Sequence, residues 1–115
     1  MGLYEDIRAE FASLPQKYDA SQADGVDVTI EAVIEGEGGG TFTMSLYKKH
    51  LIVEETKAAN PNMRFYISSA DFVRIINGEA DPMSLAMSGA IHLEGDRSLG
   101  IRLQAIIEGT YGKNS

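Results

Sequence analysis

The sequence predicts an α/β (α+β) domain with one small sheet of five strands and four helices packed against it. Three observations carry that reading. In VDVTIEAVIE, residues 26–35, Val26, Val28, Ile30, Ala32 and Ile34 alternate with Asp27, Thr29, Glu31, Val33 and Glu35, the period of a strand with one buried face. Near the N-terminus Leu3, Ile7, Phe11 and Leu14 recur at helical spacing. The run Ala70 to Asp96, ADFVRIINGEADPMSLAMSGAIHLEGD, reads as two short apolar helices leading through Asp81-Pro82 into a strand. That is more apolar helical surface than one small sheet needs, which hints at a lined pocket rather than a reactive group.

Taken in order, the N-terminal stripe predicts a docking helix within residues 1–18 that Pro15 stops, followed by the polar loop DASQADG at 19–25. After the first strand, Gly36 to Gly40 breaks the pattern. Thr41 to Tyr47 then resumes it with Phe42, Met44 and Leu46 on one side, which makes a hairpin. Lys48-Lys49-His50 reads as a second turn, with Leu51 to Val53 a short third strand ending at Glu54-Glu55. Asn60-Pro61-Asn62 turns the chain into a fourth strand, where Met63, Phe65 and Ile67 alternate. Ser68 or Ser69 caps the next helix, whose Phe72, Ile75 and Ile76 share a face until Asn77-Gly78 ends it. Asp81 before Pro82 repeats the cap signature for a helix carrying Met83 and Met87, which Gly89 closes before a fifth strand at Ile91 and Leu93. The last segment fits either a strand or a helix. We read a helix over 96–108, with Asp96 as N-cap and Gly109 as C-cap, although Gly100 inside it costs about 1 kcal/mol relative to alanine.

Length and composition bound the function. At 115 residues, 43% hydrophobic and 23% charged, the chain has the make-up of one folded domain, 1–115, without the polar bias of disorder. No apolar run approaches the roughly 20 residues needed to span a bilayer, and the first ten residues lack a basic, greasy leader, so the expectation is a soluble, cytoplasmic protein. Cysteine is absent, which removes disulfides, thiolate nucleophiles and cysteine-based metal sites. The net charge is -7; residues 1–57 hold 11 acidic and 5 basic groups, and residues 58–115 hold 6 and 5. An acidic surface repels phosphate backbones and anionic headgroups, so nucleic acid is excluded as a partner and any membrane contact is transient or made through the more neutral C-terminal half.

The motifs that suggest catalysis have plainer explanations. Gly36-Glu37-Gly38-Gly39-Gly40-Thr41 lacks the lysine and the following helix of a phosphate loop, and reads as a flexible hairpin. His50 stands beside two lysines and His92 on the polar side of a strand; neither has the convergent partners of a metal site, so no metal or cofactor is expected. The acidic pairs Glu5-Asp6, Glu35 with Glu37, Glu54-Glu55 and Glu94 with Asp96 mostly flank turns or start a helix, and no G-x-S-x-G elbow is present. What remains is apolar: Met44, Met63, Met83, Met87, Phe42, Phe65, Phe72, Ile76, Leu103, Ile106 and Ile107, which are either core or cavity wall. Periodicity alone does not separate the two.

Ser69-Ala70-Asp71-Phe72, Ile75-Ile76-Asn77-Gly78, Ala80-Asp81-Pro82 and Ser88 to Asp96, together with Val28-Thr29-Ile30, Gly36 to Gly39 and Phe42 upstream, resemble the sterol carrier protein type 2 family of non-specific lipid-transfer proteins. The resemblance spans roughly residues 20–108. It implies a five-stranded mixed sheet covered on one face by helices, with an apolar tunnel between the layers, sheet and inserted helices at 26–95 and a lid helix at 96–108. It also implies binding of sterols, fatty acids, fatty acyl-CoAs or phospholipids, without catalytic residues. Lys48-Lys49-His50 departs from the Asp-Gly turn of many relatives, the C-terminus lacks a Ser-Lys-Leu type address, and no thiolase or dehydrogenase domain is attached, which points to a small stand-alone, prokaryotic lipid binder.

On that basis Ile30, Phe42 and Met44 are expected to form one wall of the cavity and Phe72, Ile76, Met83 and Met87 the other. Leu103, Ile106 and Ile107 are expected to form a movable lid, with Arg97 and Arg102 meeting a headgroup or an acyl-CoA phosphate. Burying about ten methylenes at roughly 0.8 kcal/mol each sets an upper affinity near the micromolar range. The alternative is an interaction or accessory module for a lipid- or quinone-modifying enzyme.

Overall fold

The strongest alternation in the sequence becomes the central strand of the sheet. A computed structural model describes residues 3–111 and their side chains other than those of Leu3, Arg97 and Ile101. In it β1 (Val28–Glu35) is flanked by β2 (Gly40–Tyr47) and β4 (Met63–Ser68), while β3 (His50–Glu54) and β5 (His92–Gly95) form the edges. β1 runs parallel to β4, and the other neighbours are antiparallel, so the sheet is mixed. The register places Ile30 opposite Met44 and Met63, Ala32 opposite Phe42 and Phe65, and Ile34 opposite Ile67. One face is therefore apolar from edge to edge, because side chains two apart point the same way. Val26, expected to open β1, donates its N–H to the Ala23 carbonyl at 3.1 Å and stays outside the ladder.

Four helices cover that face: α1 (Leu3–Lys17), α2 (Ser69–Ile76), α3 (Pro82–Ser88) and α4 (Gly100–Tyr111). α1 buries Ile7, Phe11 and Leu14. Its Phe11 ring stacks between Phe42, at 4.0 Å between centroids, and Phe72, at 5.2 Å, which ties sheet, α1 and α2 into one aromatic column. α2 starts at Ser68, whose hydroxyl accepts from Asp71 N at 3.1 Å. α3 starts at Asp81, which accepts from Ser84 N at 3.2 Å, and ends at Gly89 in the left-handed region at φ 91°.

Several local expectations are corrected. Pro15 does not stop α1, which continues to Lys17 with Tyr18 N still bonded to the Leu14 carbonyl at 3.0 Å; a proline so near the end removes one hydrogen bond and has little helix left to break. The second turn is Lys48-Lys49 alone, both at positive φ (51° and 68°), and His50 already belongs to β3. Asp96 caps a 3₁₀ turn at Arg97–Leu99, accepting from Ser98 N at 2.9 Å, and α4 begins only at Gly100. Gly109 lies inside α4 instead of capping it. It is glycine because a Cβ there would meet Asp19 Oδ2 at 1.8 Å, so the last turn of α4 sits hard against the loop after α1. Nor is the glycine hairpin loose: the Arg8 guanidinium donates to the carbonyls of Gly38, at 2.8 Å, and Gly39, at 3.0 Å. A loop whose carbonyls hold a cation is the reverse of a phosphate cradle.

The opposite face of the sheet is polar and lies away from the helices. Glu31, buried there by the loop after β3, pairs with Arg64 and accepts from Ala58 N at 2.9 Å. The hydrogen bond from Arg64 holds the Glu31 carboxyl below its ordinary range against the opposing effect of burial.

Candidate functional site: an apolar cavity between sheet and helices

Between the apolar face of the sheet and the four helices lies a cavity of about 450 Å³. Its floor comes from the strands through Ile30, Met44, Leu46, Met63, Phe65 and Ile67, and α1 contributes Phe11 and Leu14. Phe72 and Ile75 of α2, Pro82, Met83 and Ala86 of α3, and Leu103, Ile106 and Ile107 of α4 supply the remaining walls. None of the lining residues is charged. Phe11 and Phe72 belong at once to the packed column and to the wall, so one flank of the cavity is rigid. Met44, Met63 and Met83 give the rest an unbranched, adaptable lining.

Apart from Gln104 in the first half of α4, the polar groups of the wall gather at the end where α1 finishes and α4 finishes. Tyr18 donates its hydroxyl to the Lys49 carbonyl, and Thr110 donates to the Ile106 carbonyl at 2.8 Å while accepting from Asp19 N at 2.9 Å. Tyr111 donates to the buried carboxylate of Glu10, which also holds the Lys17 ammonium at 2.5 Å. Burial pushes both phenols above their ordinary value; for Tyr111 the neighbouring Glu10 carboxylate adds to the shift. These hydroxyls are neutral donors spent on the protein itself, which leaves the Gln104 amide of α4 as the other polar side chain on a wall otherwise suited to hydrocarbon. Among the described residues no three His, Asp or Glu side chains converge as a metal-ligand set, and no helix is long and apolar enough to cross a membrane.

The profile of the SCP-2 sterol transfer family matches residues 10–108. The chain belongs to that family. Among solved structures, sterol carrier protein 2 like 2 from Aedes aegypti is similar over 90% of this chain and 95% of its own, at TM-score 0.71 and 19% identity. The palmitated form of that mosquito protein covers 95% and 94%, at TM-score 0.63 and 20% identity. The stereoselective inverting sec-alkylsulfatase of a Pseudomonas species matches 90% of this chain at TM-score 0.68 and 18% identity, but only 16% of the sulfatase chain is covered. A comparison with curated proteins gave no match. At these identities the structures share the family fold, the mixed five-stranded sheet under its helices.

Within this family fold, Ile30, Met44, Phe72, Met83, Leu103, Ile106 and Ile107 of the expected set line the cavity. Three do not. Phe42 is consumed by its stack on Phe11 and lies in the solid core. Ile76 packs against the core while its neighbour Ile75 faces the cavity, a difference of one residue in helical phase. Met87 is 87% exposed, because α3 has only two turns and the second overhangs the cavity. Arg102 is exposed on α4 and donates to the Asp24 carbonyl; the side chain of Arg97 lies outside those described. The residues missed, chiefly Leu46, Phe65, Ile67 and Ala86, carried a usable signal: each continues an alternation or helical face already recognised.

Proposed function

We propose that this family member is a non-catalytic carrier that holds the hydrocarbon portion of a lipid in the cavity and keeps the headgroup at the mouth. The observation that carries this reading is a cavity of about 450 Å³ without a single charged lining residue. At about 30 Å³ for each water-sized group, it has room for roughly fifteen methylenes, the scale of a common fatty acyl chain or a sterol-like ring system. Fatty acids and fatty acyl-CoAs satisfy that requirement with their single chain, and a phospholipid does so with one of its two chains. Arg102 on α4, and Arg97 just before it, are the groups we assign to a carboxylate or phosphate at the mouth. The lid role belongs to α4, whose Leu103, Ile106 and Ile107 form one wall. The palmitated mosquito relative supports the reading, since the same fold there carries a fatty acyl group.

Titration of a fluorescent fatty acid is the test. One-to-one saturable binding with a micromolar Kd, displaced by unlabelled fatty acid, is the expected result; a linear, unsaturable signal contradicts the proposal. A second reading, an accessory module for an enzyme acting on lipid-like substrates such as quinone precursors, draws on the sec-alkylsulfatase, in which this fold makes up a small part of an enzyme chain. It uses the same cavity and predicts that ligand binding strengthens when the partner enzyme is present.

A further inference from the structure

The basic run Lys48-Lys49-His50 and the acidic pair Glu54-Glu55 stand at the two ends of β3, and none of them lines the cavity. β3, HLIVE, is an edge of the sheet, with His50, Ile52 and Glu54 exposed on the face away from the helices and Leu51 and Val53 half-buried on the other. Tyr47 and His50 close a two-residue turn and so exchange hydrogen bonds as a pair. By alternation Ile52 and Glu54 also turn their N–H and C=O groups toward β2. Leu51 and Val53 turn theirs outward, and among the described residues no other backbone group bonds to them. Ile52, 59% exposed, is at the middle of this edge. Of the other large exposed apolar side chains, Leu93 and Ile107 line the cavity and Met87 overhangs it, while Tyr4 and Tyr47 lie beside the cationic heads of Arg8 and Lys48, at 3.8 and 5.3 Å. Ile52 has neither role. Both turn lysines are held at positive φ where Asn-Gly would sit without strain, and strain kept in place points to a use for the residues that bear it.

We infer that β3 is a self-complementary edge through which two copies of this chain pair antiparallel about a two-fold axis at Ile52. In that register Ile52 meets Ile52 of the second copy, His50 meets Glu54 of the second copy, and Lys49 stands opposite its Glu55. Leu51 and Val53 become hydrogen-bonded partners, their outward N–H and C=O groups supplying the backbone bonds of the new ladder. The Ile52 and His50–Glu54 pairs then fall at the positions without backbone bonds, where Cα atoms stand about 4.5 Å apart and side chains meet most closely. A parallel alignment sets lysine on lysine and glutamate on glutamate, and a slip of one residue turns outward groups against inward ones. Charge and backbone therefore select the same antiparallel register. The pairing runs one sheet through both copies and leaves β5, with cavity-lining Leu93, at the outer edges, so each copy keeps its own cavity. Each chain carries a net charge of -7 and the edge is only 5 residues long, so the dimer is expected to be reversible, with a micromolar or weaker Kd. The inference is independent of what the cavity holds.

Sedimentation velocity of the whole protein from about 10 µM to about 1 mM measures the pairing. A reversible shift from monomer to dimer is expected, weakened about tenfold or more in Ile52→Asp, where two carboxylates face each other at the axis. Ile52 is exposed in the single copy, so this variant should fold as the wild type does. Glu54→Lys and His50→Glu should each weaken the dimer and together restore it, because the swap returns opposite charges to the same positions. Amide hydrogen exchange at Leu51 and Val53 should slow with concentration in the wild type and not in Ile52→Asp. The inference is overturned if the wild type stays monomeric at the highest concentration, if a dimer forms that Ile52→Asp leaves intact, or if the two charge changes have no effect singly or fail to compensate when combined.

Discussion

Replacing Ala86 by tryptophan puts an indole into the cavity from α3, at a position that lines it and is only half-buried, so the helix can carry the larger side chain. The cavity of about 450 Å³ holds roughly fifteen water-sized groups, and the indole removes room for about five of them. At roughly 0.8 kcal/mol for each methylene left in water, the loss is about 4 kcal/mol, nearly a thousandfold in affinity. Relaxation of the methionine walls reduces that figure, and a tenfold weakening is the smallest change consistent with the reasoning. The assay has two arms. Fluorescent fatty-acid titration reads affinity directly. Thermal melting with ligand at one hundred times a micromolar Kd should stabilise the wild type by about 2.7 kcal/mol, a rise of roughly 10–20 °C for a domain of this size, and leave Ala86→Trp almost unmoved. An Ala86→Trp protein that melts cooperatively and binds fatty acid within threefold of the wild type refutes a ligand site in this cavity.

Three further outcomes concern the frame. Gly109→Ala should destabilise by about 1–3 kcal/mol in urea unfolding despite alanine's helix propensity, because its methyl meets Asp19, whereas Gly100→Ala, with open space around it, should be neutral or stabilising by up to about 1 kcal/mol. Both lysines of the Lys48-Lys49 turn sit at positive φ, which costs a non-glycine residue about 1–2 kcal/mol; Lys48→Asn with Lys49→Gly should therefore raise the melting temperature by several degrees. Because the Glu31 carboxyl is held below its ordinary value in the fold, its stabilisation is complete above the ordinary carboxylate range and is lost as pH falls through the depressed value. Glu31→Gln should accordingly be less stable at neutral pH and show a flatter acid limb in melts recorded from pH 7 downward.

Local chemistry makes part of the fold legible in the sequence. The alternation of Val28 to Ile34 is a direct consequence of the pleat, and the caps at Ser68, Asp81 and Gly89 are chemistry confined to three or four residues. The family signature between Ser69 and Asp96 stands in the region that builds two helices and an edge strand of the shared fold. What escaped depends on distant partners. The parallel pairing of β1 with β4 brings Met63 beside Ile30, and no local pattern encodes it. The apolar residues Phe72, Val73, Ile75 and Ile76 crowd the eight positions of α2 and leave its rotation open by one position, so the sequence does not separate Ile76 from Ile75, the one that faces the cavity. Phe42 has the right alternation for a cavity wall, and only the arrival of Phe11 removes it. Met83 and Met87 share a helical face, yet Met83 lines the cavity and Met87 stands in solvent, a boundary no local pattern encodes. Gly109 looked like a cap because a glycine's close approach to Asp19 and a glycine's left-handed turn leave the same letter in the sequence.

The central claim is that the cavity between sheet and helices holds one lipid. Native mass spectrometry of the gently purified protein, repeated after incubation with a fatty acid and removal of the excess, tests it most directly. A single adduct of lipid mass per chain, released by collisional activation and absent from Ala86→Trp, is the expected result. A protein that remains at its bare chain mass after incubation, or that takes up several lipids without saturation, contradicts it.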